Sequence, residues 1–366
     1  MSDILLSARK QELAGTSNVG AIAMSGDGRT AISGDLEQGT TVWRLLSSGS
    51  GQQWSPRARL EGHKEYVTAA VLTPDGSTAI TGDHSGAVIV WDLDDQSTPS
   101  KEWEFDSPER SAVQHMAITP DGALVLAGFD SGAVEMWTVR DQSRPTRRGV
   151  LRDGNVWIQG LALSADGRIA IIASGGKGHV WNLADYSSPR RVAVLENVHS
   201  AAIGADGLVA VTGGDPPAAV RLWDFRDPSK PDVVGSFPDD GREVNSVALT
   251  PDARLALTST LKGLTTLWTL GDPAHPKALA SLKESSRVVN EVAISHGGDV
   301  AMIGTSGQGA ISWDIAGISG SPLLDACSDA GKDSGLMLTP ERWENLLGNR
   351  EWSEYFGGRE KFDPCE

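Results

Sequence analysis

The sequence predicts an all-β fold, a seven-bladed β-propeller, from three regularities that keep a common phase. Seven tryptophans recur every 42–48 residues, a tight-turn signature precedes each of them at a similar distance, and short β-branched segments fill the space between. Self-similarity at this period is typical of propeller blades, each a sheet of four antiparallel strands. The seven tryptophans are Trp43, Trp91, Trp137, Trp181, Trp223, Trp268 and Trp313.

The turn signature locates the strands of each blade. In blade 2 it reads Thr73-Pro74-Asp75-Gly76, where proline presets φ and glycine accepts a positive φ. We therefore expect an inner strand at Tyr66–Thr73, a second strand at Ser77–Gly82 and a third at Ala87–Leu93. Arg57–Glu61 would be the outer strand that leads into this blade. The tryptophan near the end of the third strand is then a packing residue of the frame.

A further signature follows the third strand. Five units carry Asp four residues after the tryptophan and Pro eight residues after it, as in the segment 185–189, Asp-Tyr-Ser-Ser-Pro. An Asp side chain bonds the backbone two residues on, and proline prevents pairing in the ladder. We interpret the segment as the loop that sets the exit of each blade.

The two ends of the chain complete the prediction. Blade 7 has three strands between Val288 and Ile315, so its outer strand should come from around Ile4–Leu13 and close the ring. Residues 1–316 would form the propeller.

Residues 317–366 leave the period, and Thr339-Pro340-Glu341 has the pattern of a helix start. We expect a short helical tail that either packs on the propeller or docks another protein.

The register resembles that of WD-repeat propellers over roughly residues 4–315, and blade 2 carries the best match, with Gly62-His63 and Trp91-Asp92. The structural aspartate of that family is expected six residues before the tryptophan. The residues at that position are Glu37, Ser85, Ser131, Gly175, Pro217, Lys262 and Gly307. The resemblance therefore implies that the family's hydrogen-bonded tetrad is incomplete in every blade, blade 2 included.

The loop signature and the tail narrow this resemblance. They are similar to the WD-repeat regions of actinobacterial multidomain signalling proteins, whose repeats end in a segment with Cys, Leu-Thr-X-X-X-Trp and a final Cys. The matching residues are Cys327, Leu338-Thr339, Trp343 and Cys365. The resemblance implies a bacterial protein. Cys327 and Cys365 could form a disulfide if the tail folds back, or they could remain reduced, as is usual in the cytoplasm.

Composition limits the partners. The formal net charge is −16 and the pI is about 4.9, whereas nucleic acids and anionic membranes attract basic surfaces. The sequence has no secretory signal pattern and no apolar run long enough to span a membrane. We expect a cytoplasmic monomer that binds other proteins and uses no cofactor and no metal.

No motif for catalysis stands out, since phosphate-binding loops, kinase signatures and nucleophile elbows are all missing from the sequence. His63, Asp83 and His84 could hold a metal at one rim, or His63 is structural and His84 is solvated.

Our leading hypothesis is a non-enzymatic interaction or sensing scaffold. The alternative is an enzyme, a hydrolase or lyase, with its site in the central channel. Three or more titratable groups in that channel would favour the enzyme.

Two surfaces are candidates for binding. Aromatic and arginine side chains are typical of protein-binding hot spots, and one face should present His63, Tyr66, Arg110, Phe129, Trp157, Arg242 and Arg287. Trp157 lies outside the tryptophan period and is either a core residue or an exposed anchor. The opposite face carries a basic patch, which is either solvated or receives an acidic or phosphorylated partner. This patch comprises Arg140, Arg144, Arg147, Arg148, Arg190 and Arg191.

Overall fold

The computed structural model describes residues 9–35, 39–48, 51–94, 98–139, 144–152, 154–237, 241–283 and 288–316. These residues form 28 strands in seven four-stranded antiparallel sheets. Neighbouring sheets contact each other through their inner strands, and the last sheet contacts the first, so the sheets form a closed ring. The predicted all-β, seven-bladed propeller is confirmed. The tail at 317–366, with its expected helix, Cys327 and Cys365, lies outside the described residues.

The strands follow the chain in the order inner, second, third and outer within each blade. The first described strand is β1 (Arg9–Glu12). Blade 1 consists of β2 (Val19–Met24), β3 (Thr30–Asp35), β4 (Gly39–Ser48) and β5 (Gly51–Leu60). Blade 2 consists of β6 (Val67–Leu72), β7 (Thr78–Asp83), β8 (Ala87–Asp92) and β9 (Ser100–Asp106). Blade 3 consists of β10 (Val113–Ile118), β11 (Leu124–Phe129), β12 (Ala133–Thr138) and β13 (Thr146–Arg152).

The remaining blades repeat this order. Blade 4 consists of β14 (Ile158–Leu163), β15 (Ile169–Ser174), β16 (Lys177–Asn182) and β17 (Arg190–Glu196). Blade 5 consists of β18 (Ser200–Ile203), β19 (Val209–Gly213), β20 (Val220–Asp224) and β21 (Asp232–Ser236). Blade 6 consists of β22 (Val244–Leu249), β23 (Leu255–Thr260), β24 (Leu264–Thr269) and β25 (Lys277–Lys283). Blade 7 consists of β26 (Val289–Ile294), β27 (Val300–Thr305), β28 (Gly309–Asp314) and β1.

The second strands form the densest part of the core. In blades 3, 4, 6 and 7 all six residues of this strand are buried. Because a neighbouring blade covers each face of the sheet, such a strand is buried along its whole length instead of alternating between buried and exposed residues. The sequence of β15, Ile-Ala-Ile-Ile-Ala-Ser, is an example.

The first and last described strands close the ring. β1 pairs with β28 in antiparallel register, with Lys10 opposite Trp313. The side-chain amide of Gln11 donates to the carbonyl of Trp54 at 3.1 Å and accepts from its N–H at 2.9 Å. Leu13 follows β1 and is buried. The predicted closure of blade 7 by an N-terminal strand is confirmed at Arg9–Glu12, and the strand also ties blade 7 to blade 1.

The inner strands are linked across blades by side chains at their bulges. Six of the seven inner strands change register near their start. Two of the bulged residues are asparagines that donate to the first carbonyl of the next inner strand. Asn245 donates to Val289 at 2.5 Å, and Asn290 donates to Val19 at 2.7 Å. These bonds connect blades 6, 7 and 1 around the axis.

The strand order gives the propeller two different faces. We call the lower face the one that carries the turns between inner and second strands and the loops between third and outer strands. We call the upper face the one that carries the other two kinds of loop. On the lower face, Asp185 accepts from the N–H and hydroxyl of Ser187, at 2.9 and 2.6 Å, as the exit-loop signature predicted.

Candidate functional site

Blade 2 contains a complete chain of hydrogen bonds from core to loop. The indole N–H of Trp91 donates to Thr81 Oγ1 at 2.8 Å, and that hydroxyl lies 2.6 Å from His63 Nε2. His63 Nδ1 lies 3.0 Å from Asp83 Oδ2. The tetrad is therefore complete in this blade, and the expectation that it is incomplete in every blade was wrong.

The correction comes from the position of the aspartate. Asp83 lies at the end of β7, eight residues before Trp91 and not six. From there its Oδ1 accepts from the N–H groups of Ser85 and Ala87 at 2.9 and 3.0 Å, so it also caps the following turn. Burial raises the pKa of Asp83, but hydrogen bonds from His63, Ser85 and Ala87 outweigh it and lower the pKa to about 2.

Other blades keep only parts of this chain. The indole N–H groups of Trp43, Trp223 and Trp268 donate to a serine or threonine on the second strand at 2.8–2.9 Å. In blade 4 the corresponding residue is Ile172, which lies two residues after the strand partner of the tryptophan, as Thr81 does. The buried indole N–H of Trp181 has no hydrogen-bond partner among the described residues. The tryptophans in phase are packing residues of the frame, as predicted.

Exposed apolar side chains concentrate on the upper face. Nine large apolar residues are exposed within the described parts of the chain, and five of them occupy upper-face loops. These five are Tyr66, Val156, Trp157, Leu261 and Val288. Of the other four, Leu46 lies on the third strand β4, Leu208 in a lower-face turn, and Val194 and Val233 on outer strands. Trp157 is 48% exposed, which excludes the core position that the sequence left open.

The two exposed aromatic residues stand on fixed backbone. The carbonyl of Val156, next to Trp157, accepts from Ser174 Oγ at 2.9 Å. Gly132 packs so closely beneath it that a Cβ there would lie 2.8 Å from the Val156 oxygen. In blade 2 the ring of Tyr66 stacks on that of His84, with 4.6 Å between centroids. Both side chains are therefore presented from ordered loops.

Several predicted upper-face contacts need correction. The Phe129 side chain is 0% exposed, because it turns into the apolar cluster between blades 2 and 3, so it cannot touch a partner. The His63 side chain is 5% exposed and belongs to the tetrad. Arg110 is exposed, Arg242 is half-buried, and Arg287 lies outside the described residues.

The predicted basic patch on the lower face is electrostatically mixed. Arg147 forms an ion pair with the buried carboxylate of Glu135 at 2.8 Å, and Arg148 donates to Thr138 at 3.0 Å. Arg148 lines a cleft of about 880 Å³ between blades 3 and 4. Three carboxylates line that cleft: Asp121, Asp166 and Asp185. Arg144, Arg190 and Arg191 are exposed, and Arg140 lies outside the described residues.

The candidate metal ligands of blade 2 do not form a site, since His63 and Asp83 bind each other and His84 stacks on Tyr66. A different cluster of metal-ligating side chains lies on the upper face between blades 5 and 6. Its members are His199, Asp215 and Glu243, whose ligand atoms lie within 4.8 Å of one another. These three residues were not among the predicted site residues, although Asp215 stands eight residues before Trp223, as Asp83 does before Trp91.

The inner strands carry two titratable side chains, His115 and Glu291. Burial lowers the pKa of His115 to about 4. Burial also raises the pKa of Glu291 to about 8, although the N–H of Ile22 donates to this carboxyl at 2.7 Å and opposes the shift.

Comparisons with known proteins agree with this geometry. Residues 54–92, which contain the tetrad of blade 2, match the family described as WD domain, G-beta repeat. Comparison with curated protein sequences yields no match. The described residues contain no helix that could cross a membrane.

Two solved structures share the fold. One chain of a crystal structure of the mitotic checkpoint complex is 18% identical, with 84% of this chain and 90% of that chain covered and a TM-score of 0.67. The β-propeller domain of Myceliophteria thermophila Cps50 (Swd1) is 13% identical, with 83% and 98% covered and a TM-score of 0.67. The chain is thus a seven-bladed β-propeller that contains a WD40 repeat at residues 54–92.

Proposed function

We propose that this protein is a non-catalytic scaffold that binds a protein partner on its upper face. The observation that carries the proposal is the exposure of Trp157 and Tyr66 on that face, together with three aliphatic side chains. Single exposed apolar residues are ordinary, whereas a concentration on one face is typical of a binding surface.

The energetics of binding favour these positions. Buried tryptophan and tyrosine side chains commonly dominate the affinity of an interface, each at about 2 kcal/mol or more when truncated. Because the backbone at Val156 is already held by Ser174 and Gly132, little ordering entropy is lost on binding. The rigid blades beneath keep the distances between such anchors fixed.

The proposal also covers the location of the protein, its oligomeric state and the class of its partners. We place the scaffold in the cytoplasm of a bacterial cell, as a monomer with protein partners and without nucleic acid. A propeller of the same fold belongs to a mitotic checkpoint complex, an assembly of several proteins, and this supports an assembly role. The upper face would supply the specific contacts, because loops vary freely on a fixed frame.

The test is affinity capture with the full chain, followed by measurement of Kd for the purified partner. We expect the double variant Tyr66→Ala, Trp157→Ala to weaken binding at least tenfold. Val233→Ala is the matched control, because Val233 is equally exposed but lies on the outer strand β21. Unchanged affinity in the double variant, with the same melting temperature as the wild type, would remove the upper face from the proposal.

A further inference from the structure

The cluster between blades 5 and 6 joins three separate segments of the chain. His199 precedes β18, Asp215 follows β19, and Glu243 precedes β22. The imidazole has a carboxylate at each nitrogen. Nδ1 lies 3.0 Å from Glu243 Oε1, and Nε2 lies 3.4 Å from Asp215 Oδ2.

We propose that His199, Asp215 and Glu243 bind a divalent transition-metal ion of the Zn²⁺ type. Bonds from zinc to nitrogen or oxygen are about 2.0–2.2 Å long, so neighbouring ligands in a tetrahedral shell lie about 3.3 Å apart. The contacts at 3.0 and 3.4 Å run to different nitrogens of the imidazole, and one ion takes only one of them. With one ligand atom counted for each residue, the three atoms lie within 4.8 Å of one another, so small rotations of the carboxylates bring them to this separation. An imidazole ligand favours zinc, nickel, cobalt or copper over magnesium or calcium.

The binding mode follows from exposure. His199 is 15% exposed and supplies one ring nitrogen to the ion. Asp215 and Glu243 are 56% and 38% exposed, so their carboxylates can rotate toward the ion without disturbing the core. Solvent fills the remaining coordination position, which leaves the ion accessible from the upper face.

Backbone hydrogen bonds hold the three segments in place before any ion binds. The N–H of His199 donates to the carbonyl of Gly213 at 2.7 Å. The N–H of Val244 donates to the carbonyl of Gly214 at 2.9 Å. Asn197 bonds both the N–H and the carbonyl of Asp215, at 2.7 and 2.6 Å. The ligands therefore meet with little loss of entropy, as a metal site requires.

The chain offers a matched control on the lower face. His275 Nδ1 lies 2.9 Å from Asp272 Oδ2, and both side chains are exposed. This pair has the same type of contact, but it has one carboxylate and comes from a single loop. It should bind a metal ion far more weakly, because a site with two ligands lacks the third bond.

The test is calorimetric titration of Zn²⁺ into the full chain after removal of metals with a chelator. We expect one ion to bind at this site, at least tenfold weaker binding in His199→Asn and Asp215→Asn, and wild-type binding in His275→Asn. Cys327 and Cys365 are present in every variant, so differences between variants report on the cluster alone. Zn²⁺ should also raise the melting temperature, because the ion links blades 5 and 6.

Two results would overturn the proposal: no binding by the wild type, or binding that is the same in Asp215→Asn. Because Asp215 is more than half exposed, this variant should fold even if His199→Asn does not. The outcome does not depend on the protein-binding proposal, since the titration contains no partner.

Discussion

Blades 2 and 4 have the same strand order but are held together differently. In blade 2 the Trp91 indole is connected through Thr81 and His63 to Asp83. In blade 4 the Trp181 indole N–H has no partner among the described residues, because Ile172 replaces the threonine. Both blades nevertheless form complete four-stranded sheets.

Apolar packing therefore holds each blade together, and the tetrad adds to the stability of blade 2. The second strand of blade 4 is buried along all six residues. Removing a buried isoleucine costs about 2–5 kcal/mol, whereas one intramolecular hydrogen bond contributes about 1 kcal/mol net. A blade can therefore lack this chain of hydrogen bonds and still present ordered loops, and blade 4 is the one that carries Trp157.

The largest expected effect tests whether both blades belong to one cooperative ring. Deleting residues 1–14 removes β1, the buried Leu13 and the clamp from Gln11 to Trp54. We expect a loss of more than about 5 kcal/mol, so that blades 2 and 4 unfold together. Calorimetry measures this, and deletion of residues 1–8 is the control because it leaves β1. An unchanged melting curve for the longer deletion would mean that closure contributes nothing.

The next effect concerns the packing of blade 4. Ile171 is fully buried, and Ile171→Ala should lower the free energy of unfolding by about 2–5 kcal/mol through lost burial and a cavity. Urea titration measures the change, and Ile171→Val, expected at about 0.5–1.5 kcal/mol, is the control. A loss below about 1 kcal/mol for the alanine variant would show that packing at this strand is not what holds the blade.

In blade 2 the corresponding test is Asp83→Ala, which leaves His63 and two turn N–H groups without their acceptor. We expect a loss of about 2–3 kcal/mol at pH 7. The pKa of Asp83 falls from 3.8 to about 2 on folding, so its contribution is present above pH 3.8 and disappears as the pH falls toward 2. Urea titrations at pH 7 and pH 3 should therefore show a smaller difference at pH 3. An equal difference at both values would argue that the ionised carboxylate is unimportant.

The smallest effect is expected when blade 4 receives one hydrogen-bonding residue of the tetrad that blade 2 contains. Ile172→Thr places a hydroxyl where Thr81 stands in blade 2, within reach of the unpartnered indole N–H of Trp181. The gained hydrogen bond offsets most of the lost apolar burial, so the net change should stay within about 1 kcal/mol. Ile172→Val has nearly the same shape without the hydroxyl and isolates its contribution. If the threonine variant is less stable than the valine variant by more than about 2 kcal/mol, the hydroxyl finds no partner.

The frame could be predicted from sequence because its signals are local and repeated. A tryptophan, a turn and an exit loop lie within one repeat, so their spacing shows the register directly. The role of Asp83 was not predicted, because a carboxylate at the end of the second strand reaches the same N–H groups as a carboxylate within the following turn. Phe129 ends a strand in the same way, and its burial depends on which side of the sheet it takes.

The upper-face cluster could not be found in this way. His199 and Glu243 are 44 residues apart, and they meet only because consecutive blades are adjacent in the ring. Arg147 shows the same limit, since its pairing with Glu135 depends on the register between β12 and β13. Contacts that depend on the packing of whole elements leave no local pattern in the sequence.

The pairing of β1 with β28 has a consequence for protein synthesis. Of the described strands β1 leaves the ribosome first, and its partner follows about 300 residues later. At roughly 5–20 residues per second, the ring would stay open for roughly 15–60 s. During this interval β1 would be an unpaired strand, and its sequence, Arg-Lys-Gln-Glu, is short and highly charged, which discourages pairing with other nascent chains.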